Sequence, residues 1–472
     1  MPENSYTGPP LVGNMSTNAA GGKAATSLGF LFFLSLGNLA FAVFYTQIYM
    51  TMAQFWGYLG YGAFGYGGSW PVIGWSLTVV AGIFAPVNKR DVGSFIVTFT
   101  FYILYVPCIL SPFIQGFVGF STALMSGFLL AASYIALSVT VRTGPSSEPA
   151  NPSRLLDSRF FWVALLVIWS MGNLFVLYVF RGSLRFASFS EVYDQRFEAD
   201  LVAGSAIAAY AIGNLSCAVN PVLLALGLKR KSAALVVMSI ASQILLYSTS
   251  ALKAIVVATI MIVVFHFVFS DRMGSKNMRF FLGLLAVAAV GTLAMPLYSG
   301  GDGIFDQFVS LIYQRTLTTP GMLYGTYLDF FSKFPLTHLS HVNVVRWIIP
   351  YPYGELQIGQ VVGNYITPAV SIESLNTNAS YLATDGIAAF GLAGIVIATA
   401  ISAVLFKATA KVLDKTDRQL VVTALVAFLT YLSNVSMFTA LLSYGGLLIV
   451  GLLWLIPRAG VELDRGPRWH LF

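Results

Sequence analysis

Residues 95–141 read FIVTFTFYILYVPCILSPFIQGFVGFSTALMSGFLLAASYIALSVTV and contain no Lys, Arg, Asp or Glu. A membrane core of about 30 Å needs about 20 apolar residues for one helix, so this stretch is long enough for two spans. We place the spans at Phe95–Leu110 and Phe113–Val141. Arg90 precedes the pair and Arg142 follows it. Because cations accumulate on the cytoplasmic side of membrane proteins, the pattern predicts a hairpin whose two ends are cytoplasmic.

The rest of the chain repeats this pattern. Hydrophobic residues make up 57% of the 472 residues and charged residues 10%, and the mean hydropathy is +0.76. Soluble globular chains carry about 25% charged residues, so the composition indicates a membrane protein without a sizeable soluble domain. The apolar runs are Leu28–Met50, Trp70–Val87, Phe95–Leu110, Phe113–Val141, Phe160–Phe180, Leu201–Leu228, Ala233–Tyr247, Ala251–Phe269, Phe280–Tyr298, Ile387–Phe406, Leu420–Met437 and Leu441–Ile456. They predict an all-α, polytopic fold with about 12 transmembrane helices.

The basic residues predict how this series of spans is oriented in the membrane. All but seven of the 26 Lys and Arg residues fall in gaps that alternation places on one side of the membrane. The pattern predicts that both termini are cytoplasmic, and it explains the net charge of +7 without nucleic-acid binding. The predicted organisation is a disordered cytoplasmic tail at 1–26, a transmembrane domain at 27–457 and a cytoplasmic tail at 458–472.

Two gaps on the other side differ from simple connectors. Residues 181–200 are dense in charged and aromatic residues, and residues 299–386 form one long segment after the ninth predicted helix. We expect both to be periplasmic loops. Long loops are usually functional or disordered, and the many aromatic and aliphatic residues of 299–386 favour a folded loop. Stretches such as Met322–Phe334 are candidates for short amphipathic helices on the membrane surface.

Seven cations break the alternating charge pattern and define the candidate site. They are Arg181, Arg185, Arg196, Lys253, Arg315, Lys333 and Arg346. A guanidinium group matches phosphate oxygens bidentately, so Arg196 and Arg315 predict a binding site for phosphate or pyrophosphate. Pairing with neighbouring acidic residues is the alternative for each arginine, and Arg181 and Arg185 fit either interpretation equally. Lys253 either faces the site or extends to the membrane interface.

Three further side chains are candidates for proton transfer in the same outer segment. His338 and His341 lie three residues apart, and a histidine there suits a general base for a sugar hydroxyl. Their spacing also fits a metal pair or structural hydrogen bonds. Asp385 lies at the outer mouth of a predicted span, where a carboxylate is costly unless it is paired or used.

The sequence predicts neither a metal nor a cofactor. The two cysteines, Cys108 and Cys217, lie inside apolar runs and indicate no disulfide framework and no metal site. No Cys or acidic ligand set accompanies the two loop histidines.

At this point the chain resembles the Wzy-type O-antigen, or oligosaccharide repeat-unit, polymerases of bacteria. The resemblance rests on the twelve-span plan, the long outer loop and three local strings. The strings are Tyr193–Arg196 with Asn220-Pro221, then Arg315 with Thr319–Gly321 and Tyr327–Ser332, and finally Asn376–Asn378 with Asp385-Gly386 and Phe390-Gly391. The related O-antigen ligases share the plan and place an outer-loop histidine near the acceptor, a place that His338 or His341 matches.

This resemblance implies a metal-independent membrane glycosyltransferase of the GT-C type in the bacterial inner membrane, acting on its periplasmic face. Its donor and acceptor are oligosaccharides linked to undecaprenyl pyrophosphate, and its further partners are membrane lipid and a chain-length regulator. The implied catalytic residues are Arg196, Arg315, His341, His338 and Asp385. The exceptional cations and the three strings add the candidate substrate-binding residues Arg181, Arg185, Tyr193, Lys253, Tyr327, Arg346, Asn376, Asn378 and Tyr381. Tyr193, Tyr381 and Trp347 are the candidates for stacking on sugar rings.

Three other functions stay open at this point. An O-antigen ligase performs the same chemistry on a different acceptor, the lipid A core. A flippase for lipid-linked oligosaccharides would be a transporter, which usually shows repeated halves and charges near the membrane midplane. A scaffold without chemistry gives no reason for the seven exceptional cations. The sequence favours the polymerase among these functions.

Overall fold

A computed structural model describes residues 17–66, 70–142, 158–182, 184, 206–250, 252–270, 277–367, 377–414 and 416–456. Every regular element in these ranges is helical, and the described residues contain no strand. The first helices are α1 (Thr17–Trp56), α2 (Trp70–Gly82), α3 (Val92–Thr100), α4 (Val106–Gln115), α5 (Phe120–Val141), α6 (Ser158–Phe180), α7 (Ala206–Asn214), α8 (Asn220–Arg230), α9 (Ala233–Ser250) and α10 (Lys253–Val268). The remaining helices are α11 (Met278–Ala294), α12 (Ile304–Val309), α13 (Thr319–Phe331), α14 (Asn343–Arg346), α15 (Ile358–Ile366), α16 (Ala388–Phe390), α17 (Ala393–Leu413), α18 (Arg418–Leu432), α19 (Met437–Leu442) and α20 (Gly446–Leu455).

Twelve apolar helical stretches correspond in order to the twelve predicted spans. Seven are long and apolar enough to cross a membrane: Leu28–Leu59, Val92–Gln115, Phe120–Val141, Arg159–Phe180, Ile207–Arg230, Met278–Leu297 and Ala393–Leu413. The shorter ones are Trp70–Gly82, Ala233–Thr249, Ala254–Val268, Arg418–Leu432 and Gly446–Leu455. The all-helical, membrane-embedded class is therefore confirmed, and a full crossing by the five shorter helices stays a prediction. α1 begins at Thr17, inside the predicted tail; residues 1–16 and the tail 458–472 lie outside the described residues.

Four π-helical segments interrupt the described helices: Phe101–Tyr105, Leu215–Val219, Ser310–Thr318 and Leu382–Ile387. In three cases the helix that follows carries a proline in its first two positions, namely Pro107, Pro221 and Pro320. A proline has no N–H, and its ring clashes with the carbonyl group four residues earlier in an α-helix. The wider π turn just before each proline removes that clash, so these prolines mark the segments in the sequence.

Helix α13 lies inside the bundle. All its residues are buried, and it packs along α4. The packing is close because Gly321 and Gly325, four residues apart, face Ser111 and Gln115; a Cβ atom at either glycine would overlap those side chains. The prediction of an amphipathic surface helix over Met322–Phe334 is wrong for residues 322–331. The helix presents no exposed polar face, because Thr319, Thr326 and Asp329 are buried with the apolar residues.

Hydrogen bonds tie several predicted cytoplasmic gaps together at one end of the bundle. Arg142 donates to the carbonyl of Phe84 over 2.6 Å, and Arg418 donates to the side chain of Asn277 over 2.8 Å. The backbone N–H of Asn277 in turn donates to the carbonyl of Lys89 over 3.2 Å. The charge pattern predicted that these gaps share one side, and they do. We call this the basic end; its assignment to the cytoplasm stays a prediction.

The gap without cations, residues 51–69, and the long segment 299–386 meet at the opposite end of the bundle. The indole of Trp56 donates to the hydroxyl of Tyr298 over 2.7 Å. The Gln115 amide donates to the carbonyl groups of Gly60 over 3.3 Å and of Met322 over 2.9 Å. The described parts of the long segment therefore pack against the bundle. The aromatic content of the segment predicted a folded loop.

A tight hairpin joins the segment Leu382–Ile387 and α16 to α17. Gly391 turns the chain at a φ of 60° and ψ of −144°, a conformation that residues with a side chain rarely adopt. A Cβ atom at Gly394 would overlap the carbonyl oxygen of Gly386. Gly394 therefore permits the close approach, whereas Gly391 is needed for the turn itself, since the nearest atom lies 3.9 Å from an added Cβ. The hairpin brings Asp385 to the junction between the long segment and the bundle.

Candidate active site

Two of the π segments carry the two most prominent candidates, Arg315 and Asp385. Arg315 lies in Ser310–Thr318 and is exposed, whereas Asp385 lies in Leu382–Ile387 and is buried. π segments occur frequently at functional sites because the wider turn redirects a side chain out of the α-helical register. Both segments lie at the opposite end of the bundle, although 70 residues of sequence separate the two side chains.

Asp385 is the centre of a buried hydrogen-bond network. One carboxylate oxygen, Oδ1, lies 3.0 Å from Nε2 of His341 and accepts from the hydroxyl of Ser436 over 2.8 Å. The other oxygen, Oδ2, accepts from the backbone N–H of Met437 over 2.6 Å, at the start of α19. The side chains of Asp385 and His341 are only 4% and 6% exposed. One carboxylate thus connects the long segment, the π turn and α19.

The second ring nitrogen of His341 is also engaged. Nδ1 lies 3.2 Å from the hydroxyl of Thr337, which can give its single hydrogen either to Nδ1 or to the carbonyl of Ala388, 3.1 Å away. The backbone N–H of Thr337 reaches the same carbonyl over 2.8 Å. With its Nε2 hydrogen donated to Asp385, the ring can accept a proton at Nδ1, and the carboxylate stabilises the cation that forms. This geometry suits a general base whose proton arrives through the Thr337 hydroxyl or after that hydroxyl turns away.

His338 occupies a different environment from His341. His338 and Leu339 have φ angles of 48° and 66°, and this left-handed turn directs His338 outward while His341 points inward. Residues without β-branching tolerate such angles at a cost, and strained turns often accompany functional sites. The His338 ring lies 6.1 Å from that of Phe390. Within the described ranges, no group of three or more His, Cys, Asp and Glu side chains has the arrangement of a metal site.

Arg315 lies beside a buried tyrosine. The hydroxyl of Tyr61 donates to the carbonyl of Gln314 over 3.3 Å and is 3.0 Å from the hydroxyls of both Thr318 and Thr319. Burial raises the pKa of Tyr61 to about 12, against hydrogen bonds and the charge of Arg315, which act in the other direction. These bonds fix the π segment against residue 61 and hold Arg315 at the surface.

Two other predicted cations make local contacts. Arg346 lies 3.7 Å from the carboxylate of Glu355, donates to the carbonyl of Gly354 over 3.2 Å and stacks on the ring of Tyr351 at 4.6 Å. Arg181 lies over a tyrosine ring at 5.3 Å. Arg346 thus has an acidic neighbour, as in the structural alternative, whereas the contact of Arg181 is with an aromatic ring.

Two of the predicted tyrosines lie inside the bundle. Tyr327 and Tyr381 are fully buried, and Tyr327 donates to the carbonyl of Thr377 over 3.1 Å. Either ring must be uncovered before a sugar can stack on it.

Asn378 and Trp347 are exposed, Trp347 by 92%. Lys253 begins α10, and its side chain is not described. Arg185, Tyr193, Arg196 and Asn376 lie outside the described residues.

The structure adds polar residues that sequence reasoning did not select. Thr337 and Ser436 belong to the Asp385 network, and no local pattern marks either residue. The buried carboxylate of Asp329 forms a second polar group with the half-exposed Lys333 and with Tyr365. The exceptional position of Lys333 in the charge pattern and the four-residue spacing of Asp329 and Lys333 were the available signals for that group.

Comparisons of this chain with protein families, with curated proteins and with solved structures gave no match.

Proposed function

We propose that this protein is a membrane glycosyltransferase that polymerises oligosaccharide repeat units carried on undecaprenyl pyrophosphate. The observation that carries the proposal is the pairing of His341 with Asp385 at the junction of the long segment and the bundle. A histidine oriented by a buried carboxylate is the usual form of a general base. The pair lies at the end of an apolar bundle that can hold a lipid-linked substrate.

The chemistry needs a base and an anion-stabilising group. A hydroxyl oxygen of the acceptor unit forms a bond to the anomeric carbon of the donor, and the bond from that carbon to the phosphate oxygen breaks. The electron pair leaves with the pyrophosphate, which is already ionised and needs stabilisation more than protonation. The hydroxyl proton passes to Nδ1 of His341, and positioned bases contribute roughly 10²–10⁴-fold to such a step.

Arg315 is assigned to the leaving group. It is an exposed cation on a rigid π turn next to apolar helices. Preorganised charge near a medium of low dielectric constant stabilises developing negative charge more than it would in water. Arg196 has the same assignment from the sequence. We further propose that the site faces the periplasm of a bacterial inner membrane, with both termini in the cytoplasm, and that a chain-length regulator is a partner.

The first experiment removes the gene and separates the lipid-linked and surface glycans of the cell by size. Surface molecules capped with one repeat unit and lacking a ladder support polymerase activity. Full-length polymer left on undecaprenyl pyrophosphate supports a ligase, and single units trapped on the cytoplasmic face support a flippase. An unchanged glycan profile contradicts all three.

The second experiment tests the site. We expect Arg315→Ala to abolish nearly all polymer at a normal protein level, because the leaving group loses its counter-charge. Arg90→Ala is the matched control, since Arg90 is an exposed arginine at the basic end, and we expect a normal ladder. Wild-type chain lengths in Arg315→Ala would remove Arg315 from the mechanism. The measurement is the ladder on a gel, with the amount of membrane protein followed by immunoblot.

A further inference from the structure

The C-terminal end of α13 carries a polar cluster on the surface of the long segment. The ammonium group of Lys333 lies 2.8 and 2.9 Å from the two carboxylate oxygens of Asp329. It also donates to the hydroxyl of Tyr365 over 2.9 Å, and that hydroxyl donates to Asp329 over 2.7 Å. The side chain of Lys333 is 51% exposed, whereas that of Asp329 is buried. The cluster has no net charge, because one carboxylate balances one ammonium group.

An exposed aromatic ring lies next to this cluster. Phe334 stacks on Phe330 with ring centres 4.5 Å apart and planes inclined by 23°, so one ring face is covered. Phe334 is nevertheless 43% exposed, whereas Phe330 is 4% exposed. The rings of Phe334 and Tyr365 form a T-shaped pair with centres 5.9 Å apart and planes inclined by 76°, and the Lys333 ammonium lies 5.6 Å from the centre of the same Tyr365 ring. Tyr365 therefore joins the exposed ring to the polar cluster.

This combination has the chemistry of a sugar-binding surface. A pyranose ring presents an apolar face of C–H groups, which an exposed aromatic ring covers, and a rim of hydroxyl groups that need hydrogen-bond partners. An ammonium group has three donors, and two of those of Lys333 are used within the cluster. The hydrogen bonds to Asp329 and Tyr365 raise the pKa of Lys333, so the third donor is present at neutral pH.

We propose that Phe334, Lys333 and Tyr365 form a subsite for a neutral pyranose unit of the glycan chain, with Phe334 as the stacking platform. The subsite rests on the proposed function for its natural ligand, the oligosaccharide repeat unit. Its position suits an inner sugar of that unit. Thr337, which contacts His341, lies only three residues beyond Phe334, and Tyr353 packs on Phe330 and donates to the carbonyl of Pro335.

The test measures sugar binding by the full-length protein in lipid nanodiscs. The probes are the methyl glycosides of glucose, galactose, mannose and N-acetylglucosamine. Their binding is measured by saturation-transfer NMR. We expect binding of at least one glycoside, and a loss of roughly tenfold in affinity for Phe334→Ala, the size expected from one aromatic stacking contact. Phe308→Ala is the matched control because Phe308 is a similarly exposed phenylalanine, at 56%, on a different helix, α12, and the variant should bind as the wild type does.

A second substitution separates stacking from a structural role. Phe334→Trp keeps an aromatic face, so its affinity should stay close to that of the wild type. Unchanged affinity in Phe334→Ala overturns the subsite, and so does a loss in Phe334→Trp equal to that in Phe334→Ala, or no binding by the wild type. An unaltered glycan profile after gene deletion would overturn the polymerase instead, while the NMR result would still decide whether the surface binds sugar.

Discussion

Two aspartates, one at each end of this bundle, accept a hydrogen bond from the start of a helix, and their surroundings differ. Asp417 at the basic end accepts from the N–H of Leu420 in α18 and pairs with Lys229 over 3.2 Å, with side chains 40% and 30% exposed. Asp385 at the opposite end accepts from the N–H of Met437 in α19 and pairs with His341 over 3.0 Å, almost without exposure. Both carboxylates accept from a backbone N–H at a helix start and have a basic partner. Asp417 directly precedes its helix, whereas Asp385 reaches α19 from a segment 52 residues earlier and is far more buried.

The difference in burial distinguishes an ion pair that stabilises a helix end, at Asp417, from a buried group that can take part in a reaction, at Asp385. A half-exposed ion pair contributes about 0–1 kcal/mol because water competes with both partners. A buried carboxylate has lost its water, so its stability depends on every partner that the fold supplies. Such a group persists where its properties are used, which is the reason to place the reaction at the opposite end. The comparison yields three predictions, in order of decreasing effect.

The largest effect is expected for Asp385→Ala. It leaves the N–H of Met437, the hydroxyl of Ser436 and the Nε2–H of His341 without their acceptor. A buried donor without a partner costs about 1–3 kcal/mol, so the free energy of unfolding should fall by about 3–5 kcal/mol. The measurement is unfolding by SDS in mixed micelles, together with the glycan ladder.

Asp385→Asn is the companion variant, because it keeps the shape and one oxygen that can accept from Met437. We expect this variant to recover most of the stability and little of the polymer, since a neutral amide cannot stabilise a protonated histidine. A normal ladder in Asp385→Asn would show that His341 does not need the carboxylate and would exclude the pair as the base.

The second effect tests how tightly the hairpin must hold Asp385. Gly394→Ala places a methyl group on the carbonyl oxygen of Gly386, and backbone cannot move aside as a flexible side chain can. We expect a loss of about 1–3 kcal/mol in the same SDS titration. Gly283→Ala in α11 is the control, because nothing lies within 4 Å of the added atom. Equal stability of the two variants would show that the hairpin is less tightly packed than described.

The smallest effect is expected for Asp417→Ala at the basic end. The variant loses one helix cap and one half-exposed ion pair, so the free energy of unfolding should fall by about 1 kcal/mol. Polymer lengths should equal those of the wild type. A ladder as short as that of Asp385→Ala would remove the functional distinction between the two ends.

Much of the helical framework was predictable. The apolar runs coincide with helices because each run is a local property, and the gaps around Lys89, Arg142 and Arg418 share one end as the charge pattern predicted. The burial of α13 was not predictable from charge, because its position depends on two glycines that fit against Ser111 and Gln115 on a helix about 210 residues earlier. A count of apolar residues does not distinguish a helix on the membrane surface from one inside the bundle.

The candidate site was also predictable only in part. The sequence selected Arg315, His341 and Asp385 one at a time, because each is an ionisable group in an apolar chain, where such groups need a use or a partner. It did not reveal that His341 and Asp385 touch, that Thr337 and Ser436 complete the network, or that Lys333 pairs with Asp329 beside an exposed ring.

By itself, the sequence determined the composition of the spans, their order and the distribution of cations between them, because transfer of a side chain into the membrane depends mainly on that side chain. Only the tertiary structure decided which ionisable groups are buried together. His341 and Asp385 are 44 residues apart and meet through two turns, the left-handed turn at His338 and the glycine hairpin at Gly391. A hydrogen bond is effective only within about 3 Å, so its partners are chosen by packing and not by proximity in the chain.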